Sequence, residues 1–315
     1  MADIARPKIA RGEITPAGIV ELAGAVVLLG GAWPVTKFAT NAGAAPLWFG
    51  LGRAALSGVA AFVLLAALGR LRWPRPADLP ALLAVGVLQI AGFFALAHAA
   101  IAYVPAGRTA ILSNTTTIFV VPLSLLVLRE AIPPQRWLAT LIGLAGIIVL
   151  LGPWAVDWHH GAVLIGNLFL LGAAGSWSLA IIAVRRFPPQ SSMFALLPWC
   201  FALASVLLAP LAILHGGVGH WTPGGLAALG FIGLIGGPIG TWCVMEAAMT
   251  LPSVVASVGF LATPAVGLLL SALFLGETLD AALLSGTALI LGGVLVAVWP
   301  WRRARGFGWR APVIR

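Results

Sequence analysis

Residues 104–151 read VPAGRTAILSNTTTIFVVPLSLLVLREAIPPQRWLATLIGLAGIIVLL, and residues 251–298 read LPSVVASVGFLATPAVGLLLSALFLGETLDAALLSGTALILGGVLVAV. At an offset of 147 residues the two stretches align without a gap. Pro105 then falls on Pro252, Thr116 on Thr263, Ser124 on Ser271, Glu130 on Glu277, Thr140 on Thr287, Gly146 on Gly293 and Val149 on Val296. Upstream, Gly86 falls on Gly233. Single identities between apolar stretches carry little weight. The glutamate pair carries more, because Asp, Glu, Lys and Arg together make up only 9% of the chain. The chain therefore reads as two copies of one unit, residues 1–152 and 153–315.

Each quoted stretch holds two apolar runs joined by a short polar turn, and the same pattern continues in both directions. The runs are 16–39, 44–68, 78–101, 105–128, 135–152, 161–184, 190–214, 224–248, 252–275 and 280–299, with Pro or Gly at most of their ends. A helix needs about 20 apolar residues to cross the hydrocarbon of a bilayer. Hydrophobic residues are 61% of the 315, and the mean hydropathy is +1.05. Soluble domains carry about 25% charged residues, because their outer surface must face water. A surface facing lipid removes that requirement. The sequence thus predicts an all-α polytopic membrane protein of ten transmembrane helices, with the lipid bilayer as its solvent and no stretch left for a separate soluble domain.

The net charge of +9 is scattered in brief clusters between apolar runs. No basic stripe interleaved with aromatics is present, so nucleic acid is not an expected partner. The cations instead report orientation. With the N-terminus (Arg6, Lys8, Arg11) inside, the cytoplasmic side also receives Arg70, Arg72, Arg75, Arg129, Arg136, Arg185, Arg186 and the C-terminal cluster Arg302, Arg303, Arg305, Arg310 and Arg315. The turns around 40–46, 152–160, 215–223 and 276–280 hold no Lys or Arg and fall outside. Both termini are expected in the cytoplasm and the chain in the cell (inner) membrane. The first apolar run is too long for a signal-peptide core and is expected to remain as helix 1. Cys200 and Cys243 lie within apolar runs and read as packing residues. No cofactor or metal site is expected, and ten helices can enclose a cavity as a monomer.

Five helices per unit is an odd number, so the second copy must enter the membrane upside down. The charges agree: the turn after helix 4 carries Arg129 and Arg136, whereas its counterpart after helix 9 carries only Glu277 and Asp280. Inverted repeats of this kind build secondary transporters, in which two halves exchange roles around a shared mid-membrane site.

The quoted stretches resemble the second half of an EamA unit of the drug/metabolite transporter superfamily. The second copy carries Thr263-Pro264 ahead of an apolar helix ending Leu275-Gly276-Glu277; in the first copy Thr117 replaces the proline and Arg129 the glycine. GGAWPVTKFA in helix 1 and AAGSWSLAIIAVRR in helix 6 resemble the unit's opening at Trp33 and Trp177. The resemblance implies a ten-helix carrier of two inverted EamA repeats, its cavity lined mainly by helices 1, 3, 4, 6, 8 and 9. It also implies alternating-access transport of a small-molecule substrate, with export of amino acids, aromatic ones among them, as the leading expectation.

Polar groups at membrane depth are expensive and tend to face a cavity or a partner. Lys37, Arg53, His98 and Arg108 fall toward the outer halves of helices 1 to 4. Arg53 and Arg108 are candidates for a positive outer vestibule, against the competing readings of snorkelling to headgroups or pairing with acids such as Glu277. Trp33 and Lys37, four apart, share a helix face. An indole beside an ammonium suits a zwitterionic aromatic substrate. Trp242 and Glu246 repeat that spacing on helix 8, with Glu246 a possible ammonium acceptor or proton carrier. Asn114 opens a polar run in helix 4. The candidate substrate-binding residues are therefore Trp33, Lys37, His98, Asn114, Trp177, Trp242 and Glu246. Trp48, Trp73, Trp137, Trp154, Trp158, Trp221 and Trp299 lie near helix ends and read as interface anchors. Glu130 and Glu277 read as helix-end structural acids.

Two other functions compete. Uptake or exchange of an anionic metabolite by the same fold would use the outer cations. An intramembrane enzyme is the reading from another class, but the sequence has no HExxH and no pair of intramembrane Asp residues. Ser176, in Gly-Ser-Trp-Ser, resembles a nucleophile setting only superficially. The chain is not expected to be an enzyme.

Overall fold

Proline sets the start of several helices here, because its missing N–H falls where a first helical turn has no acceptor to use it. In this computed structural model, which describes residues 15–129, 134–151, 161–251, 259–260 and 262–298, α1 is Pro16–Asn41, α2 Pro46–Ala67 and α3 Pro76–Ile101. The Thr15 hydroxyl caps α1 by accepting from Gly18 N–H at 3.1 Å. Helix α4 is broken into Ala106–Leu112, Thr116–Leu123 and Ser124–Leu128. Next come α5 (Pro134–Leu151), α6 (Gly161–Arg186) and α7 (Met193–Leu214), the last capped by Ser192. Helix α8 runs through Pro223–Gly230, Phe231–Gly236 and Gly237–Thr250, and α9 is Ala262–Leu275 and α10 Ala281–Val298.

Six of these, α1, α2, α3, α6, α7 and the bulk of α8, are long and apolar enough to cross a membrane. The other four are shorter apolar helices. For α4 the cause is chemical. Ser113 Oγ donates to Thr109 O at 2.6 Å, Asn114 Nδ2 to Ala110 O at 2.6 Å, and Thr115 Oγ1 to Leu112 O at 2.7 Å. Such side chains offer the backbone an alternative to continuing the helix and satisfy carbonyls that the break sets free. Glu130, Asp157, Trp154, Trp158, Trp299, Pro252 and the basic terminal residues lie outside the described residues.

The outside of the bundle is apolar: Val20, Leu126, Leu214, Leu273 and Phe274 are each at least 70% exposed. Only lipid covers such a surface at no cost. The chain is a multi-pass membrane protein.

The helix pairings exchange under the repeat. Helix α1 packs on α8 and α9, while its counterpart α6 packs on α3 and α4. Helices α2 and α7, α4 and α9, and α5 and α10 pair with their own equivalents. The turns show that the halves run antiparallel. His220 N–H donates to Gly43 O at 2.9 Å, and Trp48 Nε1 to Gly216 O at 3.3 Å, so the α1–α2 and α7–α8 turns share one end of the bundle. At the other end, Asp78 Oδ1 accepts the N–H groups of Gln190 and Ser191 at 2.7 and 2.9 Å, joining the α2–α3 turn to the α6–α7 turn. A parallel duplication would have put the α1–α2 and α6–α7 turns together. Gly219 must be glycine at this junction, with φ +79° and the Gly43 carbonyl where a Cβ would stand.

The two halves share a further irregularity. The π-helical stretch Ala84–Gly92 of α3 and the one at Phe231–Gly236 of α8 begin 147 residues apart, the offset of the repeat. Each is tied to a serine of a neighbouring helix: Ser176 Oγ donates to Leu88 O at 2.8 Å and Ser57 Oγ to Gly233 O at 2.9 Å.

Candidate substrate site

At the end of the bundle where α9 stops, the Glu277 carboxylate accepts from Ala106 N–H at 2.6 Å and Gly107 N–H at 2.8 Å. These are orphan donors at the start of α4, and the positive end of that helix favours an anion. Lys37 does the converse for α3: its Nζ donates to Ile101 O at 2.6 Å and Val104 O at 3.1 Å, at the negative end of a helix. Glu277 also acts coulombically on Lys37, and Asp280 on Arg108. Arg108 is buried and partnered. Of the four cationic candidates, two are thus engaged with helix ends and acids rather than lining an open vestibule.

Deeper in, helices α1, α2, α3 and α6 bring six aromatic and titratable side chains together. Trp33, buried just past the bend of α1 at Gly31, lies 6.0 Å centroid to centroid from Phe93 and 5.9 Å from His98. Phe93 meets Trp177 of α6 edge-on at 4.8 Å. Phe94 lies 5.2 Å from the His98 ring, and Phe49 of α2 lies 6.2 Å from it. Trp33 and Phe93 come from the first half and Trp177 from the second.

His98 is fully buried and its Nδ1 is 2.8 Å from Phe94 O. A carbonyl only accepts, so Nδ1 carries the proton and a neutral ring presents a lone pair at Nε2. That Nε2 has no partner among the described residues. Gly50 makes room for the ring, since a Cβ there would stand 3.0 Å from His98 Cγ. Arg53, 8% exposed, lays its guanidinium 4.7 Å above the Phe94 ring. Its Nη1 also lacks an acceptor. A cation stacked on an aromatic face but short of an acceptor is a costly arrangement in a low-dielectric interior. Its placement therefore calls for a ligand or water.

The remaining candidates lie elsewhere. Asn114 is exposed at the break in α4, its amide donated to Ala110 O. Trp242 is 43% exposed, in line with Ile235 and Ile239 on the exposed apolar stripe of α8, away from Trp33 and Trp177. Glu246 of α8 is buried and partnered. Trp221, read from sequence as an interface anchor, stacks on Phe49 at 6.4 Å with planes 9° apart. The Ser176 hydroxyl is committed to Leu88 O. Sequence reading missed Phe49, Phe93 and Phe94. The signal for the last two was their place in GFFALAHAA, four and five residues ahead of His98 on one helix.

Antiparallel halves, an apolar exterior and an inner aromatic cluster built from both halves define a multi-pass membrane protein of transporter architecture. The family model described as the EamA-like transporter family matches residues 16–152 and again 164–299, and the chain belongs to that family. It is 26% identical over 223 residues to an uncharacterized transporter of Clostridium kluyveri, covering 70% of this chain and 72% of that protein. It is 26% identical over 247 residues to a protein of Salmonella typhimurium named "Probable amino-acid metabolite efflux pump", covering 71% and 78%. A shorter match, 27% over 109 residues and 35% of each chain, is to an S-adenosylmethionine uptake transporter of Rickettsia prowazekii. A solved crystal structure covers 95% of this chain and 100% of its own at 20% identity and a TM-score of 0.66. That likeness shows the shared fold.

Proposed function

We propose that this protein is a secondary transporter that exports amino acids across the inner membrane by alternating access, as a monomer of ten spanning segments with both termini in the cytoplasm. The observation carrying this reading is the buried aromatic cluster at which Trp33 and Phe93 of one half meet Trp177 of the other. A site shared by two antiparallel halves can be opened to either face by rocking one half against the other. The amino-acid efflux relative from Salmonella typhimurium supports the substrate class and direction, while the uptake relative from Rickettsia prowazekii shows both directions within similar proteins. Arg70, Arg72, Arg185 and Arg186 stand at the end of the bundle where Asp78 joins the α2–α3 turn to the α6–α7 turn, and their gathering there supports a cytoplasmic assignment of that end.

A second reading, exchange of an anionic metabolite, is favoured by the buried, acceptor-free Nη1 of Arg53. Counterflow separates carriers from channels. Proteoliposomes loaded with unlabelled L-tryptophan are expected to accumulate labelled L-tryptophan transiently, and export is expected to dominate in right-side-out vesicles. Absence of counterflow with every amino acid, together with counterflow of an organic anion, would replace the first reading by the second.

A further inference from the structure

Three buried polar atoms lack a hydrogen-bond partner among the described residues: Arg53 Nη1, His98 Nε2 and Asn167 Oδ1. The first two flank one ring, Phe94, which carries the Arg53 guanidinium on its face and receives the His98 Nδ1–H at its backbone carbonyl. Buried polar groups are almost always paired, so an orphaned donor and an orphaned acceptor beside one residue ask for a complementary molecule.

Resting on the transport reading above, we propose that Arg53 and His98 hold the head group of the substrate, and that this head group is an α-amino acid zwitterion. The carboxylate accepts from Arg53 Nη1, the ammonium donates to His98 Nε2, and the side chain lies against Trp33, Phe93 and Trp177. The polar inventory makes the choice. A simple organic anion satisfies the guanidinium but leaves the imidazole lone pair without a donor. An amine without a carboxylate supplies that donor but brings its charge up to an uncompensated arginine. A molecule carrying both groups satisfies both atoms at once and displaces any water that does so in its absence.

The neighbours show why Arg53 is left for a ligand. The carbonyls at the end of α3, Ile101 O and Val104 O, are taken by Lys37, and Phe94 O is taken by His98. Arg53 also comes from α2, outside the helices that the family resemblance implies as cavity lining. It therefore carries its own test.

The test uses the purified full chain in nanodiscs and three probes sharing one ring system: L-tryptophan, tryptamine without the carboxylate, and indole-3-propionate without the amine. Calorimetry on the unaltered protein is expected to rank L-tryptophan first, with tryptamine weaker by about 30-fold, the scale of losing one partner of a buried charged contact. Indole-3-propionate is expected to be weaker by about tenfold, the scale of one unmade hydrogen bond. Arg53→Gln is expected to abolish the preference for L-tryptophan over tryptamine, weakening L-tryptophan and tightening tryptamine as the repulsion is lifted, and Arg53→Lys to keep part of the preference. Equal binding of L-tryptophan and tryptamine by the unaltered protein overturns the assignment, whether or not Arg53→Gln folds. So does a folded Arg53→Gln protein that binds L-tryptophan undiminished. If L-tryptophan counterflow persists in either case, transport stands and this head-group site falls. If no amino acid is bound or carried, both readings fall together.

Discussion

Arg129 and Gly276 stand at the same place in the two halves, and both have left-handed backbones, with φ 53° at Arg129 and 66° at Gly276. Arg129 is the one non-glycine residue of positive φ among the described residues. Each ends a helix, α4 or α9, with the residue type that a left-handed cap either welcomes or resists. The second half uses the strain-free glycine and the first half tolerates the strain.

This asymmetry is measurable. A Cβ at Gly276 would meet nothing within 4 Å, so backbone strain is the only penalty. Gly276→Ala is expected to lower stability by about 1 kcal/mol. Arg129→Gly removes strain but loosens the unfolded chain by a similar amount, so it is expected to change stability by less than about 0.5 kcal/mol. Thermal unfolding in detergent compares the two. Equal losses would mean that Arg129 stabilises its turn through its side chain.

Glu277 fastens the end of α9 to the start of α4 through two backbone donors. Glu277→Ala strands both and is expected to cost about 2 kcal/mol, the scale for hydrogen bonds to a charged acceptor. Glu277→Gln keeps one acceptor oxygen and should cost less. If alanine and glutamine variants melt together with the unaltered protein, the capping contact contributes nothing to stability.

Antiparallel halves predict the sidedness of single cysteines placed in a background where the buried Cys200 and Cys243 are alanine. Cysteines at exposed Gly216 and Thr278 are expected to react with an impermeant maleimide added outside intact cells. Cysteines at exposed Gly69 and Gln190 should react only after the membrane is opened. Reaction of positions 69 and 216, equivalent places in the two halves, from one and the same side would contradict the inverted duplication.

Lys37 and Arg53 looked alike in the sequence and separate in the structure. Lys37→Met is expected to destabilise the protein by about 1 to 2 kcal/mol by uncapping α3, while leaving the preference for L-tryptophan over tryptamine unchanged. Loss of that preference in a folded Lys37→Met protein would put Lys37 back among the substrate ligands.

Helices α5 and α10 cross at glycines. A Cβ on Gly146 would lie 2.8 Å from Gly286 O, a backbone atom unable to move aside, whereas Gly292 of α10 faces open space. Close backbone approach of this kind is how membrane helices gain packing without a hydrophobic driving force. Gly146→Ala is expected to cost about 1 to 3 kcal/mol by overpacking, and Gly292→Ala to be neutral or slightly stabilising. Similar melting of both variants would show that the crossing relaxes.

The two-copy construction, the positions of the apolar runs and the class of protein were all readable from the chain. Helix α7 was expected to end at 214 and does. A helix in lipid satisfies its own backbone and shows its apolarity locally, so these features need no knowledge of distant residues. Which way each side chain faces was decided only by the fold. In helices that are apolar on all sides, periodicity does not distinguish the lipid face from the inner face, so Trp242 and Trp177 looked equivalent and are not. Likewise Lys37, Arg53, His98 and Arg108 lay in one region of the sequence, but their partners come from helix ends and acids as far away as Glu277 and Asp280. Tertiary packing used up the polar valences of Lys37, and left those of Arg53 and His98 open, because only it brings a given carbonyl, carboxylate or ring within hydrogen-bond reach.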